Sequence, residues 1–364
     1  MSSIVTFLGT DSKDRTTVAI ATAKKLASEG NKVLLVGLQS RPAFRIRLGI
    51  ASTTEPVEIA ANLTAIELSA ATLLENSWEE VKKLEAQYLR SPLLKEVYGQ
   101  ELGVLPGMDE ALALNAIREY DLSGQYDAIV YDGTGDINTL RAFGLPEILN
   151  WYIRRFRAIF EESDIVKALK PFVQPVSSAV LNVTWTADNL SDANNPAAQI
   201  LEKGTQALAE KRVIAYLVTT NDEIAIATAK YLWGSAQQIG LTVAGAILSG
   251  GEATETVTTE FKPLSVTSLP EFDGSNWQPL VDSLPDIMKS EAAPQPTAID
   301  TAEKKIAIYL PGFAKKEVKL TQYGPGITIE AGDQRRNITL PPAWQGRAVT
   351  GAKFQNGYLE VTIG

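Results

Sequence analysis

Runs of apolar, largely β-branched residues recur at 4–8, 33–36, 128–131, 213–218 and 243–248, separated by stretches of helical period. Strands apolar on both faces belong to a sheet covered on both sides, and intervening helices make that sheet parallel. The first run passes through a short polar loop into residues 18–27, whose spacing predicts a helix. Residues 55–98 read as a first helical insert, with charged and apolar faces around Trp78-Glu79-Glu80-Val81-Lys82-Lys83-Leu84. Residues 146–176 read as a second helical insert carrying Trp151, Tyr152, Ile153, Phe156, Ile159, Phe160, Leu169 and Phe172. A proline- and alanine-rich stretch at 291–302 reads as a linker. Beyond it, residues 304–310, 317–321, 326–330 and 358–363 predict strands, with turns at Pro311-Gly312, Gly324-Pro325 and Asn356-Gly357. The expected fold is therefore α/β: a doubly wound, mainly parallel sheet over 1–290, then a small all-β sandwich over 303–364. About 60 residues is little for an independent sandwich, so that unit is expected to pack against the larger one.

Composition narrows the chemistry sharply. The 364 residues include no cysteine and no histidine. Disulfides, thiolate nucleophiles, cysteine-ligated zinc and histidine general bases are thereby removed. Carboxylates, lysine, arginine, hydroxyls and hard cations such as Mg²⁺ remain. The formal charge of −9, with Arg154-Arg155-Phe156-Arg157 as the densest basic cluster, argues against nucleic acid. No run reaches the roughly 18 apolar residues of a membrane span. Met1-Ser2-Ser3 leads directly into the first strand, so a soluble, cytoplasmic protein without a targeting segment is expected.

The loop after the first strand reads Gly9-Thr10-Asp11-Ser12-Lys13-Asp14-Arg15-Thr16-Thr17. Strand, tight loop and helix with hydroxyls at its start is the layout of a P-loop nucleotide site. Yet only Gly9 and Thr16 satisfy the G-x-x-x-x-G-K-[ST] spacing, because Asp14 replaces the second glycine and Arg15 the lysine. Asp11 and Asp14 bring carboxylates toward the place of a triphosphate's oxygens. Like charges ~4 Å apart repel by about 4 kcal/mol at an effective dielectric near 20. A plain strand-to-helix turn capped by Thr16 or Thr17 explains the same residues without a ligand. Asp109-Glu110 read as helix-start acids facing the dipole rather than as a catalytic pair.

Several segments, taken in order, resemble the arsenical-pump ATPase family, whose members include factors that deliver tail-anchored membrane proteins. They are Asn62-Leu63-Thr64-Ala65-Ile66-Glu67-Leu68, Leu105-Pro106-Gly107-Met108-Asp109-Glu110-Ala111-Leu112, and Asp127-Ala128-Ile129-Val130-Tyr131-Asp132 followed by Thr139-Leu140-Arg141. Residues 303–364 resemble an α-crystallin (small heat-shock) domain through Leu310-Pro311-Gly312-Phe313 and Ala352-Lys353-Phe354-Gln355-Asn356-Gly357-Tyr358-Leu359. The pair together is similar to a photosynthetic-lineage branch of the targeting ATPases.

The resemblance implies ATP or ADP with Mg²⁺ as cofactors, Thr16 and Asp132 at the metal, and Gly9, Lys13, Arg15, Thr16 and Thr17 around the phosphates. It also implies losses. Gln39 stands where the first-switch aspartate should position water, Thr10 where a lysine should cross to a partner subunit, and Ser249 where an asparagine should read the base. Catalysis is left to Asp132, and any hydrolysis should be slow. The cysteine pair that would bind zinc between subunits is missing. The second insert is implied to line a client groove, so that a homodimer encloses an apolar chamber for a membrane-protein helix and meets membranes only through client delivery. Two other readings stand beside this chaperone: an active small-molecule phosphotransferase or triphosphatase, and a nucleotide-free interaction scaffold.

Overall fold

A computed structural model describes residues 1–88, 94–162, 196–288 and 293–364. The strands of the large unit are β1 (Ser3–Leu8), β2 (Val33–Leu38), β3 (Val57–Ala60), β4 (Leu63–Leu68), β5 (Ala128–Asp132), β6 (Val213–Thr219), β7 (Thr242–Ser249) and β8 (Val266–Leu269). They form one sheet in the order β3-β4-β2-β5-β1-β6-β7-β8, parallel except for β3. Its helices are α1 (Ser12–Ser28), α2 (Ala43–Leu48), α3 (Ala70–Tyr88), α4 (Met108–Ser123), α5 (Ile137–Glu162), α6 (Pro196–Ala209), α7 (Glu223–Gln238), α8 (Glu255–Glu260) and α9 (Gln278–Ser283). One face of the sheet is covered by Ile117, Phe143, Leu208 and Trp233 of α4 to α7. The other is covered by Ile20 and Leu26 of α1, Phe44 and Leu280. Strands buried on both faces explain the unbroken apolar runs.

Two expectations about the inserts change. Residues 57–68 of the first insert form the edge hairpin β3–β4, of which the resemblance implied a strand only for residues 62–68, and the helix begins only at Ala70. Val57/Ile59 and Leu63/Ala65 alternate at a period of two, and Asn62 supplies the positive φ of 60° at the turn. The second insert does not start at Pro146. That proline lies inside α5, with Gly204 of α6 packed against its ring. Residues 163–176 of this insert lie outside the described residues.

The C-terminal unit is a two-sheet sandwich. β9 (Thr297–Asp300), β10 (Lys305–Tyr309), β14 (Val349–Gln355) and β15 (Tyr358–Ile363) form the order β14-β15-β10-β9. β11 (Val318–Tyr323), β12 (Gly326–Ala331) and β13 (Gln334–Thr339) form the second sheet. Ile308, Phe313, Ile329, Trp344, Leu359 and Val361 fill the space between them. β9 falls within the stretch read as linker, because residues 297–300 pair antiparallel with β10.

The sandwich does pack against the larger unit, chiefly on α7. Tyr231 meets Phe313 edge-on at 5.6 Å between ring centroids, and Trp233 meets Tyr309 at 5.5 Å. The amide of Gln238 donates to Ala331 O at 2.9 Å, and that of Gln334 to Ser235 O at 3.1 Å. The β12–β13 hairpin also reaches α5: Asp333 pairs with Arg141 at 2.6 Å, and Arg336 with Glu147 at 3.7 Å.

Candidate functional site

The carboxyl ends of β2, β5 and β1 lie side by side, where open parallel sheets present their loops to ligands. Gly9 ends β1 against β6, and a Cβ there would stand 2.1 Å from Val218 O, so no other residue fits. Its N–H donates to Gly135 O at 3.0 Å. The loop then closes far sooner than its sequence suggests. α1 begins at Ser12, six residues before the expected start, and Asp11 caps it by accepting from Asp14 N at 3.0 Å. An aspartate at the cap satisfies a first-turn amide that phosphate oxygens would otherwise reach, and no second glycine holds the loop open.

Arg15 does not reach outward. It is 3% exposed, donates through Nη1 to Gly9 O, and its Nε lies beneath Gly135. Burial, then the neighbouring Arg41 charge, push its guanidinium down to about 10. Thr16 and Asp132 do meet, Thr16 Oγ1 donating to Asp132 Oδ2 at 2.6 Å. Asp132 is 1% exposed; burial raises its pKa, while Arg41, the Thr16 hydrogen bond and Arg15 pull it back. Arg41 lies 3.6 Å from Asp132 Oδ1 through Nη1 and donates through Nη2 to Ser12 Oγ at 2.7 Å.

Three of the other expected site residues share a cavity beside the loop, and Gln39 and Thr10 lie apart from it. Thr17 turns back to Lys13 O at 2.8 Å within α1, and the Gln39 amide donates to Ser52 Oγ at 3.4 Å. Thr10 is exposed. Lys13, Thr17 and Ser249, with Asp14, line that cavity of about 240 Å³ together with Arg47 and Phe272. Burial and Asp11 raise the Asp14 pKa there, against its hydrogen bond with Ser249 and the charges of Lys13 and Arg47.

One residue read as a dipole partner proves central. Glu110, in the first turn of α4, is buried and accepts from Tyr131 Oη at 2.7 Å, Thr134 N at 2.9 Å and Thr139 Oγ1 at 3.1 Å. It ties the loop after β5 to α4. Tyr131 is raised well above its ordinary pKa by burial, then by the Glu110 charge and hydrogen bond. Among the described residues no cluster of acidic side chains is arranged to hold a metal ion.

Asp132 Oδ1, Arg41 Nη1 and Arg15 Nε are buried at this site without a hydrogen-bond partner. A first-turn amide is taken by a carboxylate, the loop cation is folded inward, and a second guanidinium lies against the carboxylate expected at the metal. Thr16 and Asp132 still meet across this early-starting helix.

A second feature lies near the amino-terminal ends of β1 and β6. An apolar groove of about 300 Å³ runs between α4, α5 and α6, lined by Leu114, Leu122, Phe143, Leu145, Ile200 and Leu208. Arg118 and Lys203 contribute basic side chains to it, and Leu122 is 50% exposed. Among the described residues no helix is long and apolar enough to cross a membrane. This groove is lined from the 142–146 stretch of α5 and not by the residues expected to line a client groove. Trp151 and Tyr152 instead pair edge-on at 5.1 Å, with Tyr152 exposed and Ile153 half-buried. The side chains of Phe156, Ile159 and Phe160, together with Leu169 and Phe172, lie outside the described residues.

Comparison with known proteins gives a consistent set of likenesses. Residues 3–250 match the family model described as anion-transporting ATPase, and residues 301–363 match the HSP20-like domain found in ArsA. A putative arsenical pump-driving ATPase of Chlorobaculum tepidum is 32% identical over 205 residues, 52% of this chain and 49% of that protein. One from Aquifex aeolicus is 27% identical over 47% of this chain and 44% of its own length. The chain thus spans about half the length of these relatives. An uncharacterized protein of Streptomyces coelicolor is 25% identical over 95% of this chain and 93% of its own.

Proposed function

The chain belongs to the anion-transporting ATPase family, and from that premise we propose that it holds apolar helical segments of membrane-protein clients. Family membership implies nucleotide binding, but the residues around Thr16 and Asp132 favour a site that no longer runs an efficient hydrolytic cycle. The groove between α4, α5 and α6 carries this reading: it is apolar, partly open, and bordered by Arg118 and Lys203. An apolar helix laid there gains about 25 cal/mol for each Å² removed from water. A bilayer-spanning segment is about 30 Å long, and a groove of about 300 Å³ accepts only a few of its side chains. Two copies of the chain would shelter the rest, so the active form in this proposal is a homodimer. Arsenite capture by thiolates has no place in it, as the chain has no cysteine.

A fluorescent peptide of about 20 apolar residues with lysine ends is expected to bind saturably, and a polar scramble not at all. Equal binding of the scramble overturns the proposal. Leu122→Glu is expected to weaken capture about tenfold with little loss of fold, because the side chain is half exposed. An active triphosphatase predicts something different: magnesium-dependent phosphate release that disappears in Asp132→Asn.

A further inference from the structure

The phosphate loop, the turn after β2 and the loop after β5 are the segments that a bound nucleotide would hold together in a P-loop protein. Here they already meet through one side chain. Arg41 sits in the turn after β2, its N–H donating to Leu38 O at 2.9 Å. Its Nη1 lies 3.6 Å from Asp132 Oδ1 at the end of β5. Its Nη2 donates to Ser12 Oγ at 2.7 Å and to Ser12 O at 3.3 Å, at the first turn of α1. The side chain is about nine-tenths buried, and Asp132 is more fully buried still. From below, Arg15 grips Gly9 O, while Gly9 N is bonded to Gly135 O in the loop after β5. The Arg41–Asp132 contact is an ion pair and not a hydrogen bond, since Arg41 Nη1, Asp132 Oδ1 and also Arg15 Nε are buried without a hydrogen-bond partner.

We infer that Arg41 is an internal replacement for the bound nucleotide and cation, fastening the phosphate loop and both switch segments in one permanent arrangement. The chemistry favours this reading. A guanidinium is planar, stays charged, and donates in several directions at once, so it can offset the charge of a carboxylate while it donates to a loop hydroxyl. A divalent cation entering between Thr16 and Asp132 would have to break their 2.6 Å hydrogen bond and lie beside two arginines. A triphosphate would meet the Asp11 carboxylate at the helix cap and Asp14 one turn on. In this chain one guanidinium spans the positions of those ligands, from Ser12 to Asp132. The inference rests on these loops and not on the apolar groove, so it can fail while the carrier reading stands, and the reverse.

The test uses the full chain. Thermal unfolding is expected to be unchanged by millimolar Mg·ATP or Mg·ADP, since a ligand that does not bind the native state cannot stabilise it. Amide exchange at residues 38–41 and 132–139 is expected to be slow without any ligand. Arg41→Ala should raise exchange in both segments about tenfold while the remaining strands keep their protection. Arg41→Lys keeps the charge without the fork and is expected to give a smaller rise in the same two segments; it carries the test should the alanine variant not fold. Saturable stabilisation of the unaltered chain by Mg·ATP overturns the inference. Wild-type exchange at both segments in either variant does so as well.

Discussion

Gly234→Val is expected to separate the C-terminal sandwich from α7 and to lower stability by about 3 kcal/mol. A Cβ at position 234 would lie 2.2 Å from Pro311 O and 2.6 Å from a ring carbon of Phe313. The backbone oxygen cannot rotate out of the way as a side chain can, so the two units must move apart. Across the same seam, Gly312 adopts a φ of 80°, and a Cβ there would stand 2.5 Å from Lys230 O. Glycines on both sides bring helix and turn into backbone contact, which a loosely tethered module would not require. Denaturant unfolding should show a lower midpoint, and amide protection of β13 should fall. Gly103→Ala, with open space around it and no positive φ, should change the midpoint little. A Gly234→Val protein as stable as the parent would mean that the sandwich does not sit on α7 as described.

That seam bears on function because the same hairpin touches α5. Asp333 and Arg336 hold Arg141 and Glu147, one in the first turns of the helix and one just past Pro146. Phe143 and Leu145, between those anchors, line the apolar groove. The exposed Arg141–Asp333 pair adds little energy by itself, about 0–1 kcal/mol. Its value is positional, and the aromatic contacts on α7 supply the larger part of the attachment.

Much of this architecture could be read from residue types. β1, β2, β5, β6 and β7 announce themselves because strands buried on both faces are apolar at every position. β13 gives no such signal, since Gln334-Arg335-Arg336-Asn337 lacks apolar alternation; its polar side chains serve the seam and neighbouring strands. β9 hid in a stretch whose prolines read as linker, although only residues 297–300 beyond them form the strand. At the loop, Gly9 and Thr16 follow a local spacing, whereas Asp132 enters only through the resemblance of residues 127–132; the structure brings Thr16 and Asp132 together. The earlier start of α1 is not legible there, although Asp11 followed three residues later by Asp14 is an ordinary capping pattern. Arg41 gave no signal at all: its partners lie on α1 and β5, remote in sequence. The groove shares this difficulty, because Leu114 or Ile200 has the same helical spacing whether it faces a neighbour or a cleft.

Glu110→Ala is expected to be the most damaging single change near the loops, at about 3–5 kcal/mol. Three donors converge on this carboxylate, and each would be left without it: the Tyr131 hydroxyl, the Thr134 amide and the Thr139 hydroxyl. Tyr131 is fully buried, so water cannot readily take the missing place. Thr139 also bonds to Gly135 N at 3.0 Å, and Gly135 O receives Gly9 N, so the disturbance would pass directly to the phosphate loop. Glu110→Gln keeps the volume and one acceptor and should recover part of the loss, whereas Asp109→Ala, one position earlier and outside these hydrogen bonds, should cost far less. Chemical denaturation of the three variants ranks them, and hydrogen exchange at residues 132–139 shows where the parent contacts are lost. Equal destabilisation by Asp109→Ala and Glu110→Ala would reduce both to helix-dipole partners. The ordering predicted here instead makes Glu110 the anchor on which the loop after β5, and through it Gly9, is fixed.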